Sequence, residues 1–146
     1  MRAPAAGGQP LYREIEHTAD VGIAVEAADP AACFEKAALA LGALMVDLER
    51  VALREARPLR VTAKDWPELM HAWLSEVLAL CATDGFVAAE VVIAEIDRTH
   101  VAGLLRGERY DPTRHDFHGE IKAVTYHGLT VQPEGDVWQA RVIFDV

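Results

Sequence analysis

The order of apolar and polar residues divides the chain into a helical first half and a strand-rich second half. Leu11–His17 alternates as a strand does, and Val21–Ala27 is a second short strand. Asp20 and Gly22 are expected to break the path between them. Asp29-Pro30 reads as an N-cap followed by proline at the first helical position. Phe34, Ala37, Ala38, Leu41, Leu44 and Met45 then recur at spacings of three and four, so residues 30–46 are expected to form an amphipathic helix. Val46–Ala56 is a connection of mixed charge, and Pro58–Ala63 alternates as a short strand. Asp65-Trp66-Pro67-Glu68 is a capping box, in which Asp65 accepts the Glu68 amide and Glu68 can reach back. Leu69, Met70, Trp73, Val77, Leu80 and Cys81 line one face of a second helix. Thr83-Asp84-Gly85 stops it, with Gly85 suited to a left-handed terminal position.

Beyond Gly85 the period becomes two. Val87–Ile96, Thr99–Arg106, Ile121–Val124, Gly128–Pro133 and Val137–Phe144 read as strands. Arg98-Thr99 marks a turn, and Glu134-Gly135-Asp136 a hairpin. Gly107–Gly119 is a polar loop carrying Tyr110, Asp111, Arg114, His115, Asp116 and His118. The expected fold is α+β, with two amphipathic helices packed on one mixed, largely antiparallel sheet.

Composition narrows the function. A chain of 146 residues that is 51% hydrophobic has enough material for one buried core. Its charge of −9 argues against a broad phosphate-binding surface. It suits protein partners and cations better, and it opposes close self-association at low salt. Cys33 and Cys81 sit in apolar helical patterns with no CxxC spacing, so a cysteine zinc site is not expected. Two cysteines and no secretory leader point to a reducing, cytoplasmic setting. The Ala/Gly/Pro-rich residues 1–10 read as a loose tail. No apolar run approaches the roughly 20 residues of a membrane span.

Several residue groups could carry chemistry. Asp20 closes Glu16-His17-Thr18-Ala19-Asp20 at a strand end, where it could ligate a hard cation; equally, Asp20 or Thr18 could cap a turn. Asp145 stands beside the α-carboxylate of Val146. With Asp20 these make three carboxylates that would attract Ca²⁺, Mg²⁺ or Mn²⁺; the plain alternative is an exposed strand-end aspartate. By alternation, Glu120, Lys122 and Val124 share a strand face. Glu120 and Lys122 are then either a surface pair or a charge that tempers an acidic site. His115 and His118 share a loop and could bind a transition metal, but without an HExxH frame the simpler reading is a solvent-exposed loop. Trp73 reads as core, in a stripe with Trp66 and Phe34. There is no P-loop, dinucleotide fingerprint or nucleophile elbow, and Ser75, mid-helix, is the sole serine.

The run IEHTADVGI (Ile15–Ile23), with EIKAVTYHGL (Glu120–Leu129) and the terminal RVIFDV (Arg141–Val146), resembles the archease family. GALMVD (Gly42–Asp47), ELMHAWLSEVL (Glu68–Leu78), DGFV (Asp84–Val87) and GERYDPTRH (Gly107–His115) extend the resemblance from about Leu11 to the last residue. It implies a single archease-like domain over residues 11–146 behind a flexible tail. It also implies a non-catalytic helper of an RtcB-type tRNA-splicing ligase. That ligase joins 2′,3′-cyclic or 3′-phosphate ends to 5′-hydroxyl ends with GTP and Mn²⁺, through a histidine–GMP intermediate. The helper speeds guanylylation and permits multiple turnovers. The implied metal ligands are Asp20, Asp145 and Val146, for calcium or else magnesium or manganese. Glu120, Lys122 and His17 are further functional residues. The implied partner is the ligase, with neither stable nucleic-acid binding nor a membrane. Two other readings stay open: a chaperone-like modulator of enzymes such as a tRNA methyltransferase, and a small metal-dependent phosphoesterase.

Overall fold

The computed structural model describes residues 11–17 and 20–146. The expected tail over residues 1–10 and the turn cap at Thr18 lie outside the described residues. The chain runs β1 (Arg13–His17), β2 (Asp20–Ala27), α1 (Pro30–Met45), a 3₁₀ turn (Leu48–Arg50), β3 (Glu55–Thr62), α2 (Trp66–Asp84), β4 (Phe86–Asp97), β5 (His100–Arg109), β6 (Ala123–Val124), β7 (Thr130–Glu134) and β8 (Val137–Asp145).

Two antiparallel sheets replace the single mixed one expected. One has the order β1-β2-β8-β6, with β7 also paired to β8; the other is β3-β5-β4. The helices lie against both. α1 packs on β2 and β4, and α2 on α1 and on strands of each sheet. One core therefore joins the layers. At its centre Trp73 is fully buried, and its Nε1–H donates to the Phe34 carbonyl at 3.1 Å. Trp66 packs between Phe34 and Trp138, with ring centroids 6.0 and 5.0 Å away.

The helix ends follow local chemistry. Asp29 accepts from Ala32 N–H at 2.8 Å, and Asp65 from Glu68 N–H at 3.0 Å, each ahead of a proline in the first turn. Gly85 ends α2 in the left-handed region at φ 67°. Asp65→Ala removes an exposed cap acceptor and is expected to cost about 1 kcal/mol. A thermal melt checks this, and an unchanged midpoint would show that the cap contributes nothing.

Several boundaries differ from expectation, three of them with a clear physical reason. Asp20 and Gly22 do not break a path; both lie inside β2. β3 begins at Glu55 and passes through Pro58, which an edge strand tolerates because its missing N–H faces no neighbour. β5 continues through Arg109, so Gly107 and Glu108 belong to a strand and not to the polar loop.

Candidate functional site

The site is set by strand register. Asp20, the first residue of β2, stands directly opposite Asp145, the last of β8. On either side the row continues, with His17 opposite Asp20 and Ala123 of β6 opposite Asp145. Four strands thus contribute one residue each to a single rung: His17, Asp20, Asp145, Ala123. Side chains of directly opposed residues share a face and have Cβ atoms roughly 5 Å apart. The neighbouring rung, Val21 with Phe144, turns Phe144 fully into the core. The aspartate rung therefore faces away from the helices. Asp145 is exposed and Asp20 half-buried. The His17 side chain lies outside the described residues.

The rest of the rung is held by backbone. Lys122 N–H donates to the Asp145 carbonyl at 2.8 Å, and Thr125 N–H to the Ile143 carbonyl at 3.0 Å. α2 supports the same segment from behind. His71 Nε2 lies 2.9 Å from the Val124 carbonyl, and its ring stacks on Tyr126 at 3.9 Å and 6°. Gly22 lies on the aspartate face. A Cβ there would come within 2.6 Å of Ile143 Cδ1 and 2.9 Å of the Val142 carbonyl, so the close approach of β2 to β8 needs glycine.

Glu120 and Lys122 are both exposed beside this rung, but not as an alternating strand face. β6 is only Ala123–Val124, and Val124 is buried, so the alternation does not reach back to residue 120.

In the expected solvent-exposed loop His118 is indeed exposed, but His115 is not. His115 is buried, with both ring nitrogens occupied. Nδ1 accepts the Asp111 N–H at 2.9 Å, which leaves the proton on Nε2 to donate to Glu108 Oε2 at 2.9 Å. Such a ring has no lone pair left for a metal. Glu108, 2% exposed, is the centre of this knot. It also accepts from Ala52 N–H at 2.7 Å and from Arg114 Nη1 and Nη2 at 3.0 and 2.7 Å, and it forms an ion pair with Arg54 Nε at 3.2 Å. Hydrogen bonds from the Arg114 guanidinium, opposed by burial and helped by Ala52 and His115, hold its carboxyl down at about 2. Glu108 gives no local sign of this role in the sequence; Arg114 and His115, six and seven residues on, are the available signal. Burial pushes the Cys33 thiol up to about 12 and raises that of Cys81, so neither is poised as a thiolate ligand.

The carboxylate oxygens of Asp20 and Asp145 suit a hard divalent cation better than zinc. Among the described residues no three His, Cys, Asp or Glu side chains gather into a metal cage.

The archease protein family (MTH1598/TM1083) matches residues 12–146. The chain belongs to the archease family. An archease of Methanopyrus kandleri is 38% identical over 138 residues, covering 92% of this chain and 99% of its own length. One from Pyrobaculum islandicum is 32% identical, covering 95% and 98%. The solution structure of protein 1598 of Methanobacterium thermoautotrophicum superposes with a TM-score of 0.77 at 32% identity, covering 92% of this chain and 98% of that one. The crystal structure of a Thermotoga maritima archease, described as a possible chaperone, has a TM-score of 0.64 at 22% identity and supports the fold alone. The fold expected of an archease is therefore present, and the rung joins three of the blocks that carried the resemblance. Among the described residues no helix is long and apolar enough to cross a membrane.

Proposed function

We propose that this archease is a cytoplasmic, non-catalytic protein cofactor of an RtcB-type RNA ligase, promoting its guanylylation and repeated turnover. The observation that supports this best is the opposition of Asp20 and Asp145 on one rung. Two carboxylates side by side repel unless a cation or a basic partner neutralises them. Asp20 and Asp145, with the carboxylate that closes Val146, would hold Ca²⁺, Mg²⁺ or Mn²⁺. Bound there, the ion supplies positive charge for phosphate groups of the partner's nucleotide. Lys122 and Glu120, exposed beside the rung, adjust its charge toward the partner. His17, opposite Asp20 in the register, is kept as a further site position. The −9 chain favours docking on basic protein and does not compete for RNA.

The test is guanylylation and multiple-turnover ligation by the cognate ligase with wild type, Asp20→Asn and Asp145→Asn. Each variant is expected to lose about tenfold or more of the stimulation while its thermal midpoint is kept. Folded variants that stimulate as well as wild type would overturn the metal-site reading. A few residues added after Val146 should also weaken metal binding if its carboxylate is a ligand.

A second reading, a chaperone-like modulator of RNA-modifying enzymes, draws on the Thermotoga maritima description and on exposed Phe117 and Tyr126. It predicts that binding is indifferent to both aspartates. A third, a small phosphoesterase, predicts turnover by the isolated chain.

A further inference from the structure

The β3-β5-β4 sheet carries a surface that the proposed metal site does not use. Its register places four rungs on one face: Ala56–Arg106–Glu90, Pro58–Leu104–Val92, Arg60–Ala102–Glu95 and Thr62–His100–Asp97. The alternate positions of β5, Val101 and Leu105, are fully buried, so these rungs face away from the core. An open face of an antiparallel sheet is ordinarily polar. Here the second rung is apolar across all three strands, with Leu104 38% and Val92 49% exposed. An ion pair closes it on each side: Arg106 Nη1 to Glu90 Oε1 at 2.8 Å, and Arg60 Nη1 to Glu95 Oε1 at 3.3 Å.

The pattern is self-complementary. Consider a two-fold axis in the plane of the face, running along β5. It lays β3 of one copy over β4 of the other with strands aligned, a normal sheet-on-sheet arrangement. Leu104 then meets Leu104, and Pro58 meets Val92. Arg60 of each copy meets Glu95 of the other, and Arg106 meets Arg106 on the axis, each countered by its own Glu90. Like any isologous contact, it is satisfied twice. Charge selects this face as well. Two copies at −9 repel over most of their surface, whereas these four rungs set two arginines against two glutamates and one aspartate. We propose that the outer face of the β3-β5-β4 sheet binds a second copy of this chain, forming a two-fold dimer.

The experiment is sedimentation equilibrium of the full chain from about 1 µM to about 1 mM. Wild type is expected to pass from monomer to dimer within that range. Leu104→Glu sets two carboxylates against each other on the axis and should raise Kd by about 100-fold or more. Arg60→Glu should raise it by about tenfold, and Arg60→Glu with Glu95→Arg should restore it to within about threefold. Thermal melts of dilute samples confirm that each variant is folded. A wild type that stays monomeric throughout overturns the proposal and leaves the face to a different partner. A dimer indifferent to Leu104→Glu, or a charge reversal that does not rescue, also overturns it.

Discussion

Gly107→Ala is expected to melt about 10 °C below wild type, a loss of about 3 kcal/mol. Gly107 is paired on both sides, to Glu55 of β3 and to Ala88 of β4. A Cβ at this position collides with the Val87 carbonyl oxygen and comes within 2.8 Å of its carbon and 2.9 Å of Ala88 Cα. All three atoms are backbone, so no rotamer change can relieve the clash. The strand itself must move, and it is fixed on either side by its ladder. The close approach has a local cause. The β4–β5 register shifts between Ala88 and Glu90 and again between Ile93 and Glu95, and the residues entering these bulges face Gly107 and Gly103. A bulge bends its strand toward the partner, and only glycine leaves room. At the second bulge Glu35 of α1 accepts the Ile93 N–H at 2.8 Å, which gives a main-chain donor at the irregularity an acceptor. The control is Gly135→Ala. That site is open and left-handed at φ 64°, and should lose about 1 kcal/mol from backbone strain alone. If the two variants melt together, the clash is not real.

Glu108→Gln is the second large expected loss, about 3 kcal/mol. Four hydrogen-bond donors converge on this buried carboxylate, two of them from the bidentate Arg114, and Arg54 adds an ion pair. An amide would turn its own N–H groups toward guanidinium or imidazole N–H. The same group gives a pH signature. Its folded value of about 2 lies below the ordinary 4.5, so its contribution is fully present above the ordinary value. It is lost as pH falls from about 4.5 through about 2. Wild type should therefore lose stability over that window, and Glu108→Gln should show a flatter profile there. Urea midpoints measured across the window check this; parallel profiles for the two proteins would sink the assignment.

What could be read from the sequence divides along physical lines. Asp29, Asp65, Pro67 and Gly85 act within one turn of themselves, so both helices were legible to within a residue or two. The second helix is an example: Asp65 takes the Glu68 amide, and Gly85 is left-handed. β3 was read too short because Pro58 looks like a boundary until its strand is known to be an edge. The division into two sheets depends on which strands pair across the chain, and local periodicity carries no such information. The aspartate rung has the same character. Asp20 and Asp145 each look like an ordinary strand-end residue, and only the β2–β8 register makes them neighbours. The family resemblance named them without saying how they meet. Glu108 was hidden for a related reason: alternation along β5 puts it on an outer face, and only the fold of residues 110–119 covers it.

The rung also bears on the order in which the molecule folds. β8 is bordered by β2 on one side and by β6 and β7 on the other, so the last strand in sequence is an inner strand of its sheet. Bringing residue 145 to residue 20 closes a loop over most of the chain, and that entropy must be met before the pairing returns any stability. Such a contact belongs to the late, non-local part of folding. No earlier fragment of the chain holds both aspartates. A nascent or C-terminally clipped chain would carry both helices and yet display no paired carboxylates. Ion binding at this rung would therefore report that the domain has been completed.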